Sequence, residues 1–216
     1  MKFFKRFILE AQAFLTVHDW LLKIVALSAL GIFALSAWES IIFNPERSYS
    51  TILLVLAETI TIVLILIARK PKTINLYPWP VFFAGAGTFH ILFVEFSYGS
   101  SLIPIAAAQV IQTVGVLFQI GAKLSLGRSF GIVPANRGVK RAGFYRIVRH
   151  PIYLGYLICH VGFFLQTVSL QNAIVYFALY CCQILRIHYE EQELSRDPLY
   201  LEYKSATRWR LVPFIY

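Results

Sequence analysis

Six apolar runs divided by polar stretches set the plan of the chain: Leu21 to Phe43, Tyr49 to Ala68, Tyr77 to about Val94, Leu102 to Lys123, Ile152 to Thr167 and Ala173 to Ile187. The first four approach or exceed the roughly 20 residues that carry a helix across about 30 Å of hydrocarbon. The last two are shorter. They predict two spans joined by a turn at 168–172, with a re-entrant hairpin as the alternative; both return the chain to the side it left. Residues 1–20 are too charged to span and lack a small-residue cleavage site, so they read as an amphipathic interfacial helix rather than a removed signal. The expected fold is all-α, a polytopic transmembrane bundle of about six spans (five plus a hairpin in the alternative). It divides into the interfacial segment 1–20, four spans over 21–123, and a region 124–216 with two helices, a basic loop and a tail.

Polar residues inside the apolar runs refine this plan. Glu58 lies near the middle of the second run, where an ionisable group must pair or face water, so it should point into the bundle as a functional group or a structural hydrogen bonder. His90 and Glu95 are five residues apart and do not share a helical face, which argues against a metal or proton-relay pair. Gln112 and Gln119 fall nearly on one line on the fourth run and Gln109 about a sixth of a turn away, a polar stripe that either binds a neighbouring helix or lines a substrate path.

Composition agrees with a membrane protein: 58% of the 216 residues are hydrophobic and 14% charged, against roughly 25% charged in a soluble domain. The net charge of +9 gains meaning once located. Threading six spans places the N-terminal region, Arg69 to Lys72, the segment from Lys123 to Arg149 and everything from Arg186 onward on one side. Every lysine and arginine except Arg47 falls there, so that side is cytoplasmic and holds both termini. The basic excess therefore reports topology and contact with membrane lipids, not nucleic-acid binding. Cys159, Cys181 and Cys182 lie in apolar runs without metal-ligand spacing and read as small core residues; no metal site is expected.

The densest chemistry lies at Lys140 to Gly155, KRAGFYRIVRHPIYLG. Lys140, Arg141, Arg146 and Arg149 precede His150 and a proline suited to the first position of a helix. The unpaired backbone donors of that first turn and the basic loop favour an anion, though a loop that merely fixes orientation has the same charge. If the last two runs are antiparallel, His150, Tyr153 and Gly155 share a depth with Arg186, His188, Glu190 and Glu191. Adjacent Glu190 and Glu191 diverge by about 100° around a helix, so both cannot face one group. Arginines and helix donors at one end with carboxylates at the other suit a zwitterionic, nucleotide-like ligand, and do not choose between nicotinamide and sulfonium cofactors.

Arg149-His150-Pro151-Ile152-Tyr153-Leu154-Gly155, then Glu190-Glu191, then Tyr200, Tyr203 and Arg210-Leu211-Val212-Pro213 resemble the membrane-embedded isoprenylcysteine carboxyl methyltransferase family, related to the phospholipid N-methyltransferases. The stretch LGRSFGIVPANRGV resembles a bacterial branch, which places the expected protein in a bacterial inner membrane. Gly143-Phe144-Tyr145 and Asp197-Pro198 depart from the Gly-Pro-Tyr and Phe-Gly that the family usually carries. The resemblance implies S-adenosylmethionine as cofactor, held by His150, Tyr153, Leu154, Gly155, Glu190 and Glu191. Transfer of an already electrophilic methyl needs alignment more than a nucleophile or metal. Arg146, Arg149 or Arg186 would hold a carboxylate acceptor, and His188 or a glutamate would serve as base for an amine. The acceptor is expected to be lipophilic or lipidated: a prenylated cysteine carboxylate, another lipophilic acid or a lipid head group. The competing readings are an NADPH-dependent membrane reductase, separated by cofactor dependence, and a transporter or scaffold acting through the glutamine stripe.

Overall fold

The structure, a computed structural model, describes residues 48–95 and 99–216 together with positions 20, 21, 24, 27, 28, 31, 32, 34, 35, 38 and 42. These eleven positions are helical, in keeping with the first expected span. The interfacial helix expected over residues 1–20 lies, but for Trp20, outside the described residues. From residue 48 onward the elements run α1 (Ser48–Ile67), β1 (Thr73–Ile74), α2 (Pro78–Phe89), α3 (Ile105–Leu126), β2 (Ala135–Asn136), α4 (Pro151–Gln166), α5 (Leu170–Leu194) and α6 (Pro198–Ala206). The fold is helical and membrane-associated. Two described helical segments, Ile105–Ser129 and Leu170–Leu194, are long and apolar enough to cross a bilayer, while Val55–Ile67 and Pro151–Gln166 are apolar but shorter. Six apolar runs therefore do not become six full-length helices among the described residues. The third run, for example, breaks after Phe89 into a 3-10 turn, His90–Phe93.

Local chemistry explains where the helices begin and end. Pro151 opens α4 and Pro198 opens α6, positions where the missing N–H costs no hydrogen bond. Ser169 caps α5 by accepting from the Asn172 N–H at 3.1 Å, and Asp197 caps α6 by accepting from Leu199 at 3.0 Å. Helix α3 stops at Gly127, whose φ of 53° suits a residue without Cβ. The 25 residues of α5 rise about 37 Å, more than the hydrocarbon is thick.

Helices α3 and α4 form the tightest pair. A Cβ on Gly155 would lie 2.6 Å from both Cβ and the backbone nitrogen of Gln119, and one on Gly162 would lie 3.0 Å from the Ala108 carbonyl. Gly115 likewise faces the Cys159 backbone. Small residues thus let the two backbones meet, as in other membrane helix pairs. The glutamine stripe lies in this seam: Gln112 Nε2 donates to Gln166 Oε1 at 2.8 Å, and both Gln112 and Gln119 are buried. At Gln112 the stripe binds the neighbouring helix. Helix α1 packs on α3, where Lys123, 0% exposed, donates to Thr61 Oγ1 at 2.7 Å and pairs with Glu58 at 3.7 Å. Glu58 thus points into the bundle as a structural partner. Cys159 is buried as expected, whereas Cys181 is exposed, because it falls on the outward face of α5.

The three basic segments meet at one end of the bundle. β1 and β2 pair antiparallel with Thr73 opposite Asn136, and the Arg69 N–H donates to the Arg128 carbonyl at 2.7 Å. Asn136 Nδ2 donates to Asp197 Oδ2 at 2.8 Å, joining this small sheet to the start of α6. At the opposite end Asn172, fully buried, donates to the Thr167 carbonyl at 2.8 Å and the Glu95 carbonyl at 3.0 Å, fastening the α4–α5 turn.

Candidate functional site

The site forms where the start of α4 meets the end of α5 under the tail. The backbone N–H groups of Arg149 and His150 donate to the carbonyls of Trp209 and Arg210 at 2.9 and 2.8 Å. This short pairing fixes the entry to α4, so His150, the N-cap residue, makes no side-chain cap and turns its ring toward α5. There Glu190 and Glu191 lie on either side of it. His150 Nδ1 is 3.5 Å from Glu190 Oε2, and Nε2 is 3.4 Å from Glu191 Oε1.

Contrary to the expectation that both cannot face one group, the two carboxylates share His150, because its ring presents a nitrogen on each side; beyond it their surroundings differ. Glu191 is held inside protein: Arg149 Nε donates to its Oε1 at 2.6 Å, Arg210 Nε donates to its Oε2 at 3.2 Å, and Lys204 lies 3.8 Å away. Arg149, 7% exposed, also donates from Nη1 to the Thr207 and Arg208 carbonyls at 2.9 and 2.8 Å. Glu190 faces a cavity. It accepts from Tyr153 Oη at 2.5 Å and lies 3.6 Å from Arg186, whose guanidinium donates to the Ile132 carbonyl at 2.7 Å and sits over the Tyr153 ring at 5.2 Å. Burial alone would lower the His150 imidazole, but hydrogen bonding and charge from Glu190 and Glu191 outweigh it, and its pKa is raised.

The cavity, about 130 Å³, runs from these residues to the loop after α3. His150, Tyr153, Tyr156, Arg186 and Glu190 form one wall; Val133, Arg137, Gly138 and Lys140 form another; Tyr145, Tyr200 and Tyr203 close it. Tyr200 is 3% exposed and its hydroxyl has no hydrogen-bond partner. Burial pushes that phenol up, so it remains a donor awaiting an acceptor. Aromatic faces for a base, a carboxylate for an ammonium or ribose hydroxyls, and an unanswered donor fit an adenosyl amino acid.

The sequence-predicted residues separate into three groups. His150, Tyr153, Arg149, Arg186 and Glu190 line the cavity, with Glu191 directly behind. Leu154 and Gly155 do not: Leu154 joins the apolar cluster beneath the site, and Gly155 is occupied by Gln119 of α3. Arg146 and His188 are exposed and stand away from it. Arg146 ends a 3-10 turn, Gly143–Arg146, that buries Tyr145 instead, and His188 is turned away from Glu190 by two residues of helix, packing on Tyr189. Sequence reasoning did not assign Arg137, Lys140, Tyr145, Tyr200, Tyr203 or Arg210 to the site, although the loop and tail containing most of them were visible as motif. Of the two departures, Phe144 fills the space over Gly121, and Asp197-Pro198 starts α6.

A helical membrane-associated frame thus carries, at one end, an aromatic cavity lined by charges of both signs. Residues 103–196, from α3 to the end of α5, match the isoprenylcysteine carboxyl methyltransferase (ICMT) family. The chain is an S-adenosylmethionine-dependent methyltransferase acting on a lipophilic acceptor. The match leaves out α1, α2 and the tail that supplies Tyr200, Tyr203 and Arg210. Among curated proteins no sequence matches the chain.

Proposed function

We propose that the enzyme methylates the carboxylate of a lipophilic acid, giving an ester. The observation behind this is the charge of the cavity lining: Arg137, Lys140, Arg149 and Arg186 are set against a single lining carboxylate, Glu190. That excess attracts an anion to the side of the cofactor. Held by Glu190, His150 and Tyr153, S-adenosylmethionine would supply an electrophilic methyl for the acceptor oxygen. A carboxylate arrives already ionised near neutral pH and needs no base. This accords with Glu190 being engaged by Tyr153 and Arg186. Tyr153, Tyr156 and the Arg137 loop exclude water, while the arginines orient the anion. Glu190, His150 and Tyr153 hold the cofactor in this reading, with Tyr200 closing over it.

The same reading places the cavity on the cytoplasmic side of a bacterial inner membrane, with the chain crossing six times and both termini cytoplasmic. Convergence of Arg69, Arg128 and the tail at one end supports that threading.

Detergent-purified enzyme incubated with methyl-labelled S-adenosylmethionine and a membrane lipid extract tests the proposal. The expected product releases volatile labelled methanol on mild base treatment. Base-stable label would mean N-methylation of a head group, and turnover with NADPH alone would mean a reductase; either result overturns the carboxylate reading.

A further inference from the structure

The polar wall of the cavity does not stop at its floor. On α4, His150, Tyr153, Tyr156 and His160 follow one another at three- and four-residue intervals, and each ring stacks on the next: centroids are 5.7, 6.4 and 6.1 Å apart with interplanar angles of 11°, 29° and 7°. The first three line the cavity. The fourth stands about 15 Å from His150 along the helix axis, inside the apolar bundle. Helix α5 approaches α4 sparsely on this side compared with α3. His160 and Tyr180 bridge the two helices through their side chains.

At the inner end of this stripe three elements contribute polar groups. His160 Nδ1 is 2.9 Å from Tyr180 Oη of α5, and the His90 ring lies edge-on to His160 at 5.1 Å. His90 Nδ1 is 3.0 Å from the Gly87 carbonyl. A carbonyl only accepts, so Nδ1 carries the hydrogen and Nε2 of the neutral ring presents a lone pair. That Nε2 is sealed from solvent and has no hydrogen-bond partner. An unmatched acceptor among apolar side chains is costly, and such atoms in a folded protein mark places where something else completes the bond.

We propose that His90, His160 and Tyr180 form a second polar subsite that receives a hydroxyl group carried partway along the apolar chain of the acceptor. The hydroxyl donates to His90 Nε2 while the acceptor's head lies in the cavity and its chain follows Tyr153 and Tyr156 inward. This rests on the carboxylate reading for the head group, and it makes the enzyme selective for hydroxylated lipophilic acids over plain ones.

Four probes separate the two readings: 12-hydroxyoctadecanoic acid, octadecanoic acid and the methyl ester of each, binding to the full chain in nanodiscs by equilibrium radioligand measurement. No turnover is required. The expected result is hydroxylated probes binding about tenfold tighter than plain ones, the worth of one good hydrogen bond. That preference disappears in His90→Leu and survives in part in His90→Gln, which keeps an acceptor. Thermal unfolding confirms that each variant is folded, and His160→Phe provides a second test should His90→Leu fail to fold. Equal binding of hydroxylated and plain probes overturns the subsite, as does a preference that His90→Leu leaves intact, or the absence of saturable binding by all four. A hydroxyl preference shared by acids and esters, with no preference for acid over ester, keeps the subsite and rejects the carboxylate reading.

Discussion

Adjacent Glu190 and Glu191 should behave oppositely when each is neutralised. In Glu191→Gln the buried Arg149 guanidinium loses the 2.6 Å partner at Nε, and Arg210 loses its 3.2 Å partner. The side chains of Arg149 and Glu191 are 6% and 5% exposed, and breaking such a pair from one side costs about 3–5 kcal/mol, because the remaining charge stays buried. Two features temper the loss: Arg149 retains the Thr207 and Arg208 carbonyls, and Arg210 is 37% exposed and partly solvated. The lower end, about 3 kcal/mol, is therefore expected. For a chain of this size that corresponds to roughly 6–12 °C in Tm. Glu190 is 18% exposed, its pair with Arg186 is longer at 3.6 Å, and Arg186 keeps the Ile132 carbonyl, so Glu190→Gln should lower Tm clearly less than Glu191→Gln does. It should weaken S-adenosylmethionine binding at least tenfold, since a charge-assisted bond to the ligand is lost. Thermal unfolding of the detergent-purified proteins and calorimetric titration with the cofactor measure both quantities. Equal Tm losses in the two variants, or cofactor binding that survives Glu190→Gln, would refute the division into a structural and a ligand-facing carboxylate.

Gly155→Ala places a methyl against the Gln119 backbone. It should cost about 1–3 kcal/mol of stability, seen as a lowered Tm, with cofactor affinity of the folded protein unchanged. Tyr200→Phe removes a buried hydroxyl that has no partner, so Tm should hold while cofactor binding falls up to about tenfold; loss of Tm without loss of binding would contradict this role. The raised pKa of His150 sets a sign: its stabilisation is fully present below about pH 6.5 and fades as pH rises through the folded-state value. Melting of wild type and His150→Gln from pH 5.5 to 9 should show a difference that shrinks with pH, and one that grows would be inconsistent. Arg146→Ala and His188→Ala, both outside the cavity, should leave kcat/KM within about twofold in the labelled-methyl assay.

What the sequence revealed of this site follows from the range over which its signals act. The opposition of His150 to Glu190 and Glu191 was legible because proline-started and apolar periodicities fix how residues turn around a helix, and an antiparallel pair then leaves few choices of depth. Periodicity also contained the exclusion of His188, which lies two residues, or about 200°, from Glu190. Arg146 was different: its outward direction comes from a 3-10 turn starting at Gly143, whose φ of 63° no local pattern announces. Glu58 and Lys123 were each visible as charges near apolar runs, but a partnership across 65 positions is a property of helix neighbours, and charge placement alone had put Lys123 at the loop. The tail was least legible. It fixes the motif through two backbone hydrogen bonds from Arg149 and His150, and backbone groups are the same in every residue. Arg210 nevertheless reaches Glu191 from that tail, so the motif, the paired glutamates and the last basic stretch form one electrostatic unit. Its members appear in sequence as three separate runs because the fold, not the chain, is what makes them neighbours.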